Sequence, residues 1–465
     1  MNARQWLLFH SVIRLATQGA GVILLFLGFF WYRFPAPAPY FLGFIEVFPA
    51  FVMLIGWALL GFGGVRNWEQ NAAFMLPYIA LIGWSFVSIG WARFPTPALS
   101  AGLQSLVVGA VVLAFSTAAP GPGVIAAGLA IALAFNSVIA ILQAATQAPI
   151  GLAALGEYTI RDGGKYSTLS VGSLTYLRPY GMTTHPNLLG GCLCLALIVT
   201  IGYLFRRGGH NQRLAILSGA VASVAIILGW AALLLSFSRA AWLGFAVGSG
   251  ALALLLLRVR RPIRWRAPIL IGVACLIVGG IFFIAYRPFV MSRTGLGDES
   301  GEQRSIADRA LFLGYTYRMI ASSPFFGVGN GMNDWESAQY VLTDPLKPDL
   351  AALPVHNVPL LILSEVGVIG FALWLASLAG ALYILVSYLR AGGGDPLVLA
   401  LFAAFAGLTT TSFFDFYMWR QFPVVLMWYG ILGAALCATT HQRDQFQKQR
   451  LGAATPATLR RAPPG

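Results

Sequence analysis

Apolar residues run through this chain in long unbroken stretches. Runs near 8–30, 38–64, 70–91, 98–118, 121–146, 187–205, 214–236, 240–257, 267–286, 357–388, 396–414 and 421–440 each approach the ~20 residues one helix needs to cross a bilayer. No series of alternating ten-residue strands breaks them up, which argues against a β-barrel. The run at 357–388 exceeds one crossing and predicts tilt or extension beyond the hydrocarbon. The pattern predicts an all-α polytopic membrane protein of about twelve transmembrane helices. Residues 1–286 hold the first nine, with a polar segment at 147–186; 287–355 form a large loop with short helices; 356–440 hold the last three; 441–465 form a disordered polar tail. The first run has no small-residue cleavage site and flows into further runs, so no cleaved signal peptide is expected.

Composition strengthens the membrane reading. Of 465 residues, 58% are hydrophobic and 10% charged, and mean hydropathy is +0.75. A soluble protein of this length carries about 25% charged residues. The net charge is +14, and it sorts by loop. The densest basic clusters, Arg206-Arg207 to Arg213 and Arg258 to Arg266, fall on one side, as do Arg4, Arg66 and the tail residues Arg443, Lys448 and Arg450. The positive-inside rule makes that side cytoplasmic and puts both termini there. The charge therefore needs no nucleic acid, and no aromatic-interleaved basic module supports one. Cys192, Cys194, Cys275 and Cys437 all lie inside apolar runs and predict neither a disulfide nor a metal site.

The polar segments 147–186 and 287–355 and the turns at Ser236–Arg239 and Asp415–Arg420 share the opposite, non-cytoplasmic face. Within the larger loop, the spacing of Ile306, Ala310, Leu313, Tyr317 and Ile320 predicts a helix over 304–322, stopped by Ser323-Pro324. Gly327-Val328-Gly329-Asn330-Gly331 follows; without a preceding strand it reads as a tight turn rather than a phosphate cradle.

Several residues on this face can carry chemistry. His356, where the loop meets the tenth run, can exchange protons near neutral pH. Arg239 sits between two apolar runs, where a cation needs an anionic partner. Arg161 and Arg178 lie in 147–186, and His185-Pro186-Asn187 directly precedes the sixth run. A guanidinium presents a planar fork to phosphate and keeps its charge, so three arginines on one face suggest a doubly charged phosphate ligand. Each also has a plainer reading, as a snorkelling, salt-bridged or solvated side chain. Arg309 and Arg318, nine apart on the loop helix and read as close to one face, suit either guidance of an anionic head group or a solvated helix face. Glu365, nine residues into its run, is expected to orient a neighbour. Asp415 and Arg420 are read as an interfacial ion pair. No Asp-x-Asp, His-Glu-x-x-His or Cys-x-x-Cys pattern points to a metal.

Four pieces carry a resemblance: Arg178-Pro179-Tyr180-Gly181 through His185-Pro186-Asn187; Ser236-Phe237-Ser238-Arg239-Ala240; Pro324-Phe325-Phe326-Gly327-Val328-Gly329; and His356-Asn357 through Glu365-Val366-Gly367. In order and position they resemble the O-antigen ligase and polymerase superfamily of bacterial envelope glycosyltransferases. The resemblance implies a GT-C-like enzyme in the bacterial inner membrane, its site facing the periplasm. It implies a polysaccharide donor linked to undecaprenyl diphosphate and, for a ligase, lipid A–core as acceptor, with no nucleotide or metal cofactor. The expected mechanism makes His356 the general base, and Arg161, Arg178 and Arg239 the diphosphate clamp. His185, Arg309, Arg318, Asn357 and Glu365 would support them. A polymerase extending lipid-linked repeats is the nearest alternative. A polysaccharide-lipid transporter is a different class, disfavoured because the polar groups gather on one face and no repeat is evident.

Overall fold

The computed structural model describes residues 68–118, 121–155, 157–158, 166–206, 212–259, 265–293, 300–342 and 353–454. The first two expected spans, Arg4, Arg66 and Arg161 lie outside them. The main helices of the bundle are α1 (Ala72–Val87), α2 (Pro95–Ala118), α3 (Pro122–Thr146), α4 (Pro186–Leu204), α5 (Gln212–Leu235), α6 (Arg239–Arg258) and α7 (Arg266–Ala285). Three short-loop helices follow: α8 (Arg287–Arg293), α9 (Ser300–Ser322) and α10 (Asn333–Leu342). The chain then returns through α11 (Val358–Arg390), α12 (Pro396–Thr411), α13 (Tyr417–Arg420) and α14 (Phe422–Ala454). Among the described residues, nine helices are long and apolar enough to cross a membrane, and α12 is a shorter apolar one. These ten fall on the expected third to twelfth runs, so the protein is a helical, multi-pass membrane protein.

Burial follows from the neighbours. Helix α4 and the Val424–Arg443 part of α14 are mostly buried. By contrast α7 turns Leu270, Leu276 and Ile284 outward, as a helix at the lipid boundary must. Helix α12 crosses α6 at Gly244 and Gly407, where a Cβ on either would press on the other's carbonyl oxygen. Small residues of this kind let membrane helices approach backbone to backbone.

Three features depart from the hydropathy reading. The polar segment 147–186 contains a hairpin, β1 (Thr168–Val171) and β2 (Leu174–Leu177), paired antiparallel with Leu169 opposite Tyr176. Four-residue strands around one Gly-Ser turn are too short for an apolar-run analysis to register. Helix α14 continues to Ala454, into the stretch expected to be a disordered tail. Its Gln, Lys and Arg residues are polar yet good helix formers.

Helix α11 is long for a different reason from tilt. It is two helices joined at Gly367, which has φ 67° and ψ −172°. The segment Pro324–Gly331 packs into the break. Val328 N–H donates to Ser364 O and Gly329 N–H to Glu365 O, each at 2.8 Å, while Val368 N–H donates to Pro324 O at 2.9 Å. Trp84 Nε1 caps another carbonyl at the break, Val366 O, at 2.8 Å. Broken helices survive in a membrane only where neighbours satisfy the freed backbone groups. The glycine turn is thus a structural plug whose amides are engaged by α11.

Candidate active site

The site lies at the end of the bundle where α4, α6 and α11 begin and where α5 and α12 end. The loop 178–182 is fixed first. Gln143 on α3 accepts from Tyr180 N–H (2.9 Å) and Gly181 N–H (2.8 Å), and Asn136 accepts from Met182 N–H (3.1 Å). Glu157, 3% exposed, accepts from Gln143 Nε2 and from the amides of Ile150 and Leu152 at 2.7–2.8 Å. Two amide side chains on an apolar helix and one buried acid thereby hold the segment before α4.

Arg178 is locked into this frame and 4% exposed. Its Nε donates to Ser236 O (2.8 Å), Nη1 to Ser167 Oγ (3.1 Å) and Nη2 to Asn187 Oδ1 (2.6 Å). Burial, then the like charge of Arg293, lowers its pKa to about 9. The guanidinium braces the site as well as charging it. Ser236 O is presented by a tight turn between α5 and α6. There Phe237 takes a left-handed φ of 48° and buries its ring against Tyr176, Phe282 and Tyr286 at centroid distances of 5.2–6.1 Å. A non-glycine residue in that region costs about 1–2 kcal/mol, which the aromatic packing offsets. The turn delivers Arg239 to the first position of α6, exposed, with Nη1 donating to Arg293 O at 2.7 Å.

Asn187 links two parts of the site. Its Oδ1 receives Arg178, and its Nδ2 donates to Asp415 Oδ2 at 2.8 Å. Asp415 in turn accepts from Phe416 N–H at 2.9 Å, and the Phe416 ring meets His356 edge-on, centroids 4.9 Å apart. His356 is half-buried, and its Nδ1 has no hydrogen-bond partner among the described residues. Burial lowers its pKa, and Arg309 lowers it further; Asp415 and the Pro354 carbonyl oppose both. A neutral imidazole is the form a general base needs. Asn357 caps α11 by accepting from Leu360 N–H (3.0 Å), and it donates to Phe413 O (3.1 Å).

His185 belongs to the same cluster. It caps α4, and its pKa is pushed down to about 3 by burial and by Arg178, His356, Arg309 and Arg293. The structure therefore brings Arg178, His185, Arg309 and His356 together, with Arg239 tied in through the Arg293 backbone. Among the described residues no group of three or more His, Cys, Asp or Glu side chains is arranged to hold a metal ion.

Two expectations need correction. Arg309 and Arg318 do not share a face: nine residues at 3.6 per turn place them on opposite sides of α9. The Arg309 charge acts on both histidines, while Arg318 lies over the Tyr340 ring at 5.9 Å. Nor do Asp415 and Arg420 pair. Arg420 bonds Asp334, sits 3.3 Å from Glu365 Oε1 and donates to Gly331 O at 2.9 Å.

Glu365, fully buried, also accepts from Asn333 N–H (3.1 Å) and Trp419 Nε1 (2.9 Å). Its network fastens α10 and α13 to the broken helix. The sequence does not single out Asn333, Asp334 or Arg293, nor the bond that joins Asn187 to Asp415. An asparagine in a loop and an acid at the end of an apolar run carry no spacing signal, and their roles exist only once distant segments meet.

Residues 224–375 match the family model described as O-antigen ligase. The match runs from within α5 into α11 and includes Arg239, Arg293, Arg309, His356 and Glu365. No curated protein matches the chain. The family covers O-antigen ligases and related polymerases, inner-membrane enzymes of glycosyltransferase type that use lipid-linked polysaccharides. The segment that supplies His356, Arg239, Arg293 and Arg309 is therefore similar to the O-antigen ligase family.

Proposed function

We propose that the protein is an O-antigen ligase. It moves a polysaccharide from undecaprenyl diphosphate to a sugar hydroxyl of lipid A–core at the periplasmic face of the inner membrane. The observation that carries this reading is a half-buried histidine, held neutral, set among arginines drawn from separate segments of one bundle end. His356 takes the proton of the acceptor hydroxyl. The oxygen attacks the anomeric carbon as the bond to the diphosphate breaks, and the electron pair leaves on the diphosphate oxygen. A single displacement inverts the anomeric centre. Arg239 and Arg309 meet the growing negative charge, and Arg178 adds its field while bracing Asn187. Arg161, on the same external segment as Arg178, completes the proposed clamp.

The acceptor is tested directly. Purified protein is mixed with an undecaprenyl diphosphate glycan and lipid A–core, and the products are separated by lipid chain. Glycan-bearing lipid A is the expected product. Longer lipid-linked glycans without lipid A modification would make the enzyme a polymerase.

A further inference from the structure

We infer that His185 is a hydrogen-bond donor to the leaving diphosphate through Nε2–H, an assignment that rests on the transfer reading above. The two histidines of the site are set up for opposite tasks. His185 is the N-cap of α4, in extended conformation (φ −158°, ψ 141°), and its Nδ1 accepts from Asn187 N–H at 3.1 Å. A nitrogen that accepts a hydrogen bond carries no proton, so the neutral ring must carry its proton on Nε2. Its one basic lone pair is spent on the helix cap. His185 therefore cannot be the base that His356 is, and it has a fixed N–H to offer.

That N–H has no protein acceptor: among the described residues Nε2 makes no hydrogen bond. The ring is held by its cap bond and by Tyr180, which packs edge-on at 6.3 Å. Thr183 Oγ1 fixes the backbone by donating to His185 O at 3.0 Å. Asparagine, aspartate and serine are the usual residues at such a cap, so capping alone does not call for an imidazole. The surrounding charges say what it meets. Arg178, Arg293 and Arg309 all act on His185, and three cations mark the place where negative charge gathers in a displacement. A second proton on the ring would break the cap and add a fourth cation; burial and those charges keep it off. As the anomeric C–O bond breaks and the electron pair passes to the diphosphate oxygen, His185 keeps its proton and strengthens its hydrogen bond.

The test separates cap from donor. H185N keeps an acceptor at the Nδ1 position and has no N–H at the Nε2 position; H185S does the same with a shorter side chain. H185Q places an amide N–H near the Nε2 position. Each variant is assayed for thermal midpoint, for glycan transfer across pH, and for binding of undecaprenyl diphosphate in nanodiscs. The expected result is a folded H185N with transfer and lipid binding each down at least about tenfold. H185Q should recover part of both, and the acid limb of the rate profile, set by His356, should stay in place. If H185N lowers the thermal midpoint, H185S is the variant compared. Wild-type transfer and binding in a folded H185N or H185S would show that His185 only caps a helix. Weakened lipid diphosphate binding in H185N, with no transfer by the wild type, would keep the donor and overturn the transfer reading. Normal transfer by both would do the reverse.

Discussion

Asn187 donates from Nδ2 to Asp415 Oδ2 at 2.8 Å across 228 residues of sequence. That bond joins the segment before α4 to the turn after α12, and it puts a carboxylate within electrostatic reach of His356. Arg178 stands on the other side of Asn187. An arginine, an amide and an acid thus run in line toward the proposed base.

The first prediction concerns pH. The neutral form of His356 is the active base, so the rate rises with pH through its pKa, which burial sets below the ordinary 6.5. Asp415 raises that pKa and Arg309 lowers it. D415N should move the acid limb of the rate profile to lower pH, and R309A should move it to higher pH. Transfer rates across pH at saturating substrates check both. Shifts in the same direction would break the assignment.

Asn333 ties the loop helices to the site. Its side chain accepts from Val355 N–H (3.0 Å), one residue before His356, and donates to Thr316 Oγ1 on α9 (3.1 Å) and Ser364 Oγ on α11 (3.0 Å). N333L should leave Val355 N–H buried without a partner, at about 1–3 kcal/mol. It should also lower transfer by loosening Arg309 relative to His356. Thermal unfolding in detergent and single-turnover rates are the measurements; a fully active N333L would show that the loop does not position the base.

The break in α11 depends on backbone that only glycine supplies freely. A Cβ on Gly367, at φ 67°, meets the Phe325 carbonyl, and one on Gly327, at φ 72°, meets that of Glu365. G367A should therefore destabilise by at least about 1–2 kcal/mol from conformation alone, more with the clash. G83A, where a Cβ meets nothing within 4 Å, should be near neutral. Unfolding midpoints compare the two.

Much of this architecture is readable from hydropathy. A run of apolar residues about 20 long has one stable fate in a bilayer, so nine long apolar helices and the shorter α12 fall on the expected runs among the described residues. His356, Arg178 and Arg239 are recognisable because a polar side chain at the hydrocarbon edge stands out against its surroundings. The β1–β2 hairpin escapes because it is short and lies in water-facing sequence. The partners of Asp415 and Arg420 escape for another reason. Both sit in one turn, and proximity in sequence suggested a pair, whereas the fold brings Asn187 to one and Asp334 and Glu365 to the other. Long-range pairing of buried polar groups is decided by packing, which a local pattern does not contain.

The central claim is that His356 is the base of a glycan transfer. Its most direct test is single-turnover transfer to lipid A–core by wild type and H356A, with binding of the lipid-linked donor measured on both. A loss of about 100-fold or more in rate with donor binding retained is the predicted result. A rate within about twofold of wild type in a folded H356A would contradict the account.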